Sequence, residues 1–238
     1  MKKNILFSLL ALSLATTACR KDDNNTVETV EIGTQNDYDT QAIQQFLKDN
    51  YFDSKGKIVA FKEDDTADDN EKPLSDYNPQ TLANGTVYII NPNAQPAAGK
   101  TILENDSISL MHKTITYTAT NENGVIKLRS AYPFFDTVDN SGVPQDDPSF
   151  YYVKKSVLEK SGKTRGYYEI EGFKEALQKF TSFDQESDAP YHMQGVIIVP
   201  SRAAFARDPH FNYVGYSLND RTFVFNFQVY KASPRISD

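Results

Sequence analysis

Apolar and polar residues alternate most clearly near the C-terminal end of the chain. Between Phe223 and Tyr230, every second position is a large apolar residue in the order Phe, Phe, Phe and Val, with Val, Asn, Gln and Tyr between them. A period of two residues is that of a β-strand with one face against a core. Four large side chains on one face predict a deep core or the wall of a pocket.

Two segments follow the period of an α-helix instead. In the longer one, apolar residues recur three and four positions apart, at Phe173, Ala176, Leu177 and Phe180. A shorter stretch nearer the N-terminus has Ile43, Phe46 and Leu47 at the same spacing, and Asp39 or Thr40 is placed to cap it. We therefore predict one main helix late in the chain and one short helix near its start.

Short runs of β-forming residues, separated by turn residues, occupy much of the remaining chain. The runs that we interpret as strands are 87–90, 108–117, 125–132, 150–153 and 196–199. The second and third are joined by Asn121-Glu122-Asn123-Gly124, a typical hairpin turn. Hairpin-linked strands with one main helix predict an α+β fold built on a mostly antiparallel sheet.

Composition excludes several classes of function. The chain has 25 basic and 32 acidic residues, and its net charge of −7 disfavours binding to a phosphate backbone, so we predict no nucleic-acid partner. One Cys cannot form an internal disulfide, and with three His it does not make a Cys/His zinc site, so we predict no metal and no cofactor. The 15 Phe and 14 Tyr, with no Trp, exclude a wholly disordered chain.

The first 18 residues have the features of a secretory signal. Lys2 and Lys3 precede an apolar run at 5–15, which is too short for a spanning helix because such a helix needs about 20 apolar residues. Small residues then lead directly to Cys19, the only cysteine. This arrangement resembles the bacterial lipobox and implies a lipid anchor on Cys19. An ordinary cleaved signal with an incidental cysteine is the alternative.

The polar residues 19–37 are typical of a flexible tether. Near its start stands Arg20-Lys21-Asp22-Asp23, which resembles the surface-export signal of Bacteroidetes lipoproteins, with a simple solvated linker as the alternative. We therefore expect an outer-membrane lipoprotein that is attached to the membrane through its lipid anchor. It would be exposed at the cell surface or otherwise held at the periplasmic face.

Residues 38–105 are interpreted as a small N-terminal extension, ahead of a main domain at 106–232. The extension contains an acidic stretch at 63–71, which we interpret as a solvated loop. A calcium site is the alternative for this stretch, although its acids lack the spacing of an EF-hand loop.

Five short motifs follow one another along the main domain. They are Ile115-Thr116-Tyr117-Thr118, Phe135-Asp136-Thr137, Ile170-Glu171-Gly172-Phe173, Val199-Pro200-Ser201-Arg202-Ala203-Ala204-Phe205-Ala206 and Asn219-Asp220-Arg221-Thr222-Phe223-Val224-Phe225-Asn226. In this order they resemble the motifs of FK506-binding-protein (FKBP) type peptidyl-prolyl isomerases. The resemblance implies an FKBP-like fold, an antiparallel sheet wrapped around one main helix, and similar domains occur in lipoproteins of Bacteroidetes.

The resemblance also implies a pocket for a prolyl ring. Its lining residues would be Tyr117, Phe135, Asp136, Ile170, Phe173, Phe205, Tyr216 and Phe225. In this pocket Phe173 would form the floor, the backbone N–H of Ile170 would bind a substrate carbonyl, and Asp136 would hold polar groups at the edge. From the residues alone, the apolar side chains are equally expected in a core, and Asp136 is equally expected at the start of a turn.

Rotation about an X-Pro bond needs no acid, base or metal. Its barrier of about 18–20 kcal/mol comes from amide resonance, and an apolar pocket disfavours the polar planar amide relative to the twisted transition state. The resemblance therefore implies a lipid-anchored prolyl isomerase and folding helper, or chaperone, for exported proteins. Its partners would be proline-containing polypeptides.

Three departures from the family pattern favour a different function. Phe173 replaces the family's Trp, Phe205 replaces a Tyr and its hydroxyl donor, and Glu169 replaces an aliphatic residue. The alternative is a catalytically weak or inactive protein-binding module with the same fold. A surface lipoprotein that binds nutrients or glycans is a further alternative.

Overall fold

The computed structural model describes residues 29–236. The predicted signal sequence, Cys19 and most of the predicted tether lie outside the described residues, so the lipid anchor stays a prediction. Within residues 29–236, no helix combines the length and the apolar character needed to cross a membrane.

Helices and strands both contribute to the described chain. The helices are α1 Ile32–Asp49, α2 Lys155–Ser161 and α3 Glu171–Leu177. The strands are β1 Asn50–Phe52, β2 Ile58–Ala60, β3 Gln80–Thr81, β4 Val87–Ile90, β5 Lys100–Thr101, β6 Ser107–Glu122, β7 Val125–Asp136, β8 Gln145–Asp146, β9 Thr181–Ser182, β10 Gly195–Val199 and β11 Arg221–Ser233. The predicted α+β class is confirmed.

Seven of these strands form one antiparallel sheet. Its order is β3-β4-β10-β11-β6-β7, and β8 pairs with β6 beside this path. The long strand β11 is central and pairs with β10 on one side and β6 on the other. The predicted hairpin joins β6 to β7, and its turn places Asn123 and Gly124 at positive φ.

One face of the sheet carries α3 and the larger part of the core. The residues of β11 that lie fully buried in this core are Phe223, Phe225, Phe227 and Val229. Phe173 of α3 stacks on Phe225, with ring centroids 4.2 Å apart. The alternation read in β11 is therefore confirmed, and the sheet packs against this helix.

α3 lies very close to the sheet because its second residue is Gly172. A Cβ atom at this position would overlap Oγ1 of Thr86 and would lie 2.7 Å from Cγ1 of Val199. A residue without a side chain is therefore required for this close approach. Gly172 thus allows the next residue, Phe173, to enter the core.

The opposite face of the sheet carries α1. Ile43 and Leu47 of this helix share one buried cluster with Val87 and Ile89 of β4 and with Val224 of β11. The apolar spacing read from the sequence is therefore that of the buried side of α1.

Contrary to the prediction of a short early helix and a main late helix, α1 has 18 residues and α3 has 7. The start of α1 also differs from the prediction. The helix begins at Ile32, within the predicted tether, and Asp39 lies in its middle rather than at a cap. Gln35 and Asp39 are both buried, and Nε2 of Gln35 donates to Oδ1 of Asp39 and to the carbonyl oxygen of Ala119. Polar residues that are buried by pairing with each other leave no apolar period in the sequence, which explains the error.

The predicted extension is joined to the main domain by strand pairing. β3 and β4 lie within residues 38–105, and β4 pairs with β10 in the main sheet. The contacts within the chain group the described residues from Glu31 onward into one compact unit. The boundary drawn between residues 105 and 106 therefore does not separate two bodies.

Residues 150–153, predicted as a strand, form a turn and an extended connection instead. The N–H groups of Tyr151 and Tyr152 donate to the carbonyl oxygen of Pro148 at 2.9 and 3.1 Å. All four residues are buried, and a short apolar run does not by itself distinguish a strand from another buried segment. We call residues 148–153 the plug segment, because its side chains fill the core beside α3.

Candidate functional site

A cluster of aromatic rings lies between α3 and β11, where the pocket was predicted. The predicted site residues that belong to this cluster or pack against it are Phe135, Ile170, Phe173, Phe205, Tyr216 and Phe225. Ile170, Phe173 and Phe225 are each 0% exposed. In this conformation they therefore offer no surface to a substrate.

Phe150 of the plug segment fills the centre of the cluster. Its ring centroid lies 5.7 Å from that of Phe173 and 5.8 Å from those of Phe225 and Phe135. The residue is only 1% exposed. The place predicted for a prolyl ring is thus taken by an aromatic ring of the chain itself.

The backbone N–H of Ile170 is already bonded. It donates to the carbonyl oxygen of Phe150 at 2.7 Å, at the residue that precedes α3. The N–H group that was predicted to bind a substrate carbonyl is therefore not free in this conformation. Phe150 supplies both the ring and the carbonyl that the site was predicted to take from a substrate.

Glu169 holds the plug segment. Its side chain is 7% exposed, and its Oε1 accepts the N–H of Val153 at 2.8 Å. Arg165 donates to the same oxygen at 2.6 Å, and Nζ of Lys174 lies 3.2 Å from Oε2. Two cations and one backbone donor offset the cost of burying this carboxylate. Glu169 stands where the family has an aliphatic residue, and its carboxylate here binds the backbone of the plug segment at Val153.

Phe205 and Tyr216 lie toward the edge of the cluster. Phe205 is 2% exposed, and its ring centroid lies 5.0 Å from that of His210 and 6.0 Å from that of Phe223. The hydroxyl of Tyr216 donates to the carbonyl oxygen of Pro133 at 3.1 Å. Phe205 therefore packs as core, and the Tyr216 hydroxyl supports β7.

Tyr117 lies on the opposite face of the sheet from the aromatic cluster, so the structure does not bring it together with the other predicted pocket residues. His112 of the same strand contacts Phe150 on the α3 side, with ring centroids 5.6 Å apart, whereas Tyr117 contacts Phe46 of α1 at 5.9 Å. There Tyr117 lines a separate cleft of about 230 Å³. Side chains alternate along a strand, so a shift of one residue in the motif exchanges the two faces.

Asp136 caps the turn that follows β7. Its Oδ1 accepts the N–H groups of Val138 and Asp139 at 3.0 and 2.8 Å, and its Oδ2 lies 3.4 Å from Nζ of Lys113. Both carboxylate oxygens are thus engaged by groups of the chain. The contacts are those of the alternative interpretation, in which Asp136 starts a turn.

His112 borders the cluster as a neutral ring. Its burial lowers the pKa of the imidazole to about 4. Nε2 lies 3.3 Å from Oε1 of Gln145, and Nδ1 lies 2.8 Å from Oγ1 of Thr114. Because the amide oxygen of Gln145 only accepts, Nε2 is assigned the hydrogen and Nδ1 accepts from the threonine hydroxyl. The ring therefore adds no charge to the cluster at neutral pH.

Phe150 was missed as a site residue, and the clamping role of Glu169 was not predicted. The signal that points to Phe150 is the long connection between Asp136 and Ile170, which contains a strongly apolar run between polar loops. An apolar run inside such a connection has to be buried against the body of the protein.

The acidic stretch at 63–71 consists mainly of turns, and Oδ2 of Asp68 accepts the N–H of Lys62 at 3.0 Å. Over the part of the chain that the structure describes, no group of three or more His, Cys, Asp or Glu is placed to hold a metal ion.

No protein-family profile and no curated protein matches this chain. Solved structures do resemble it. FkpA from Escherichia coli is 16% identical over 66% of this chain and 52% of its own, with a TM-score of 0.35. A peptidyl-prolyl cis-trans isomerase from Pseudomonas syringae pv. tomato is 15% identical over 65% of this chain and 80% of its own, with a TM-score of 0.32. The N-terminal domain of FKBP42 from Arabidopsis thaliana is 11% identical over 65% of this chain and 91% of its own, with a TM-score of 0.38.

These structures belong to FKBP-type prolyl isomerases, the family that the motifs resemble. The matched region spans about half of the FkpA chain. The TM-scores all lie below 0.4.

Proposed function

We propose that this chain is a polypeptide-binding module with an FKBP-like fold, and that it does not act as a prolyl isomerase in the closed conformation. The observation that carries the proposal is the hydrogen bond from the N–H of Ile170 to the carbonyl oxygen of Phe150. An isomerase lowers the barrier by binding the twisted prolyl bond better than the planar one. Side chains that are fully buried against Phe150 make no contact with such a bond.

The residue at position 205 supports the same proposal. Phe205 lacks the hydroxyl donor of the family's Tyr. One hydrogen bond contributes about 0.5–1.5 kcal/mol net, which corresponds to a roughly two- to tenfold loss of rate. Even an opened site would therefore be a weaker catalyst than the family pattern predicts.

A protease-coupled isomerisation assay on the chain without its signal sequence tests this function. The uncatalysed step takes tens to hundreds of seconds, so catalysis is easily seen. We expect the rate to stay within about twofold of the uncatalysed rate for peptides with different residues before proline. A clear acceleration at catalytic protein concentrations would contradict the proposal.

Catalysis is the second candidate function, and one observation favours it. Phe135, Phe173 and Phe225 gather beside the start of α3, as a prolyl-binding pocket requires. The chain would then be an isomerase and folding helper for exported proteins. Acceleration in the same assay would decide in its favour.

We further propose that the chain is anchored to the outer membrane through lipid on Cys19. Support comes from the sequence: the basic start, the apolar run and the small residues that lead to this cysteine. In the native host, Cys19→Ala should move the protein from the membrane fraction to the soluble fraction, whereas Thr16→Ala, which keeps a small residue, should not. A Cys19→Ala protein that stays with the membrane would rule out the lipid anchor.

A further inference from the structure

The plug segment presents one residue to the site as a ligand would. The ring of Phe150 lies among Phe135, Phe173 and Phe225, and the carbonyl of the same residue accepts the N–H of Ile170 at 2.7 Å. A prolyl residue in an extended peptide likewise offers one ring and its own carbonyl from a single position. Phe150 therefore stands where a prolyl residue would stand.

We infer that Phe150 is a displaceable internal ligand, and that a proline-containing segment of a partner polypeptide binds this site by replacing it. The inference rests on the proposed function and names how its site is regulated. The plug segment keeps the site closed, and a partner gains access only when that segment leaves.

The C-terminal flank of the plug segment is exposed, since none of the residues of α2 is buried. On the N-terminal side, residues 139–143 are exposed, whereas β8, next to the plug segment, pairs with β6. Outward movement of the C-terminal part of the plug segment therefore does not have to break the packing of α2. Local opening of this kind is expected where few buried contacts hold the flanking chain.

The C-terminal side of the plug segment is held by a polar clamp. Val153 donates its N–H to Glu169, and its carbonyl oxygen accepts from Arg165 at 2.9 Å. Arg165 and Lys174 both pair with the carboxylate of Glu169. Arg165 and Lys174 of the clamp also lie over the ring of Tyr152 in the cluster, 4.6 and 5.3 Å from its centroid. A change at Glu169 weakens the clamp and replaces none of the rings around Phe150.

The N-terminal side is tied to the chain by Arg235. This guanidinium forms two hydrogen bonds with Asp147, at 2.6 and 2.9 Å, and lies over the ring of Tyr152, 3.9 Å from its centroid. The plug segment therefore has a fixed end at Asp147 and a clamped end at Val153.

A cleft of about 320 Å³ runs beside the plug segment. Its lining residues include Ser149, Tyr152, Val153, Tyr168 and Phe211. Phe211 is 41% exposed, so the cleft offers an apolar surface to an incoming chain. A partner that binds here contacts the plug segment before it reaches the site.

The experiment compares peptide binding by the wild type and by two variants that loosen the plug segment. Glu169→Gln weakens the clamp and leaves the rings in place, and Phe150→Gly removes the internal ring. The probe is a short synthetic peptide with an apolar residue before proline, and the same peptide with alanine in place of proline is the ligand control. Phe46→Ala, on the α1 face, is the control for general loss of packing.

We expect both plug variants to bind the proline peptide at least about tenfold more tightly than the wild type, since affinity rises with the fraction of open molecules. Neither variant should gain affinity for the alanine peptide, and Phe46→Ala should gain none for either. Circular dichroism and thermal unfolding identify the folded variants, and Glu169→Gln alone carries the test if Phe150→Gly does not fold.

The two possible failures give different results. In the first, the folded Glu169→Gln variant binds the proline peptide no better than the wild type does, and the wild type does not catalyse isomerisation. This result would show that Phe150 is not a displaceable ligand, while the proposed function as a binding module would remain. If the wild type already accelerates isomerisation, the proposed function itself fails.

Discussion

Phe150 and Glu169 both help to fix the plug segment against the body of the protein. Phe150 fills an apolar space and occupies the N–H of Ile170, whereas Glu169 holds the backbone of Val153. Apolar side chains that follow a clear period, such as Phe173, were placed correctly from the sequence. The partner of a single backbone N–H depends on how a distant segment folds back, and no local pattern reveals it.

Tyr117 and Asp136 were assigned to the pocket by a motif and not by their neighbours in the sheet. The structure places Tyr117 against α1 and Asp136 at the turn after β7. The β6–β7 pairing also contains two register shifts, between Thr114 and Ile115 and between Thr116 and Thr118, and the positions of such bulges are not visible in a sequence pattern.

His112 should make stability depend on pH. The pKa of its ring is about 4 in the folded chain against 6.5 as the reference value, so the unfolded chain binds a proton that the folded chain does not. The folded state is therefore fully favoured above pH 6.5 and loses stability as the pH falls toward 4. The loss approaches about 3 kcal/mol, from 1.36 kcal/mol for each unit of pKa.

Urea unfolding between pH 4 and pH 7 measures this dependence. His112→Gln has no titrating ring, and its unfolding free energy should fall less steeply over the same range. The difference between the two slopes isolates the contribution of His112 from those of the carboxylates. Equal slopes for the two proteins would show that the ring is not held neutral by burial.

At the scale of elements, β11, the β6–β7 hairpin and the apolar side of α3 could be predicted, because each shows a clear period or a clear turn. The first turns of α1 could not. They are held by hydrogen bonds of Gln35 and Asp39. In the sequence these polar residues are typical of a solvated segment, because their buried partners are not visible there. The plug segment was mistaken for a strand, since a buried connection has the same composition.

Asp39 connects α1 to the turn after β10. Its Oδ2 accepts the N–H of Ser201 at 2.7 Å, and burial raises the pKa of its carboxyl. Asp39→Ala removes the side-chain acceptor of the Ser201 N–H and one of the two acceptors of Gln35 Nε2, and we expect a loss of about 1–3 kcal/mol in the free energy of unfolding.

The exposed neighbour Asp37 provides the matched control for this change. Asp37→Ala should alter the unfolding free energy by less than about 0.5 kcal/mol. Asp39→Asn, which keeps an oxygen acceptor, should lose less stability than Asp39→Ala. Chemical denaturation of the three variants checks the order, and equal stability of Asp39→Ala and Asp37→Ala would show that α1 does not depend on this bond.

At the scale of the whole molecule, one antiparallel sheet has different structures on its two faces. α1 covers one face, and α3 with the plug segment fills the other. The plug segment fills the predicted site on the second face. The proposed binding of a partner would therefore require a change in conformation, because the plug segment would have to leave first.

The exchange rate of the Ile170 amide hydrogen, followed by NMR in the wild type, tests the closed site most directly. This N–H lies in a fully buried residue and is bonded to Phe150. We predict exchange at least about 100-fold slower than that of an exposed amide, and faster exchange in Glu169→Gln, while the Phe225 amide in the sheet stays unchanged. An Ile170 amide that exchanges in the wild type as fast as an exposed one would contradict the closed site.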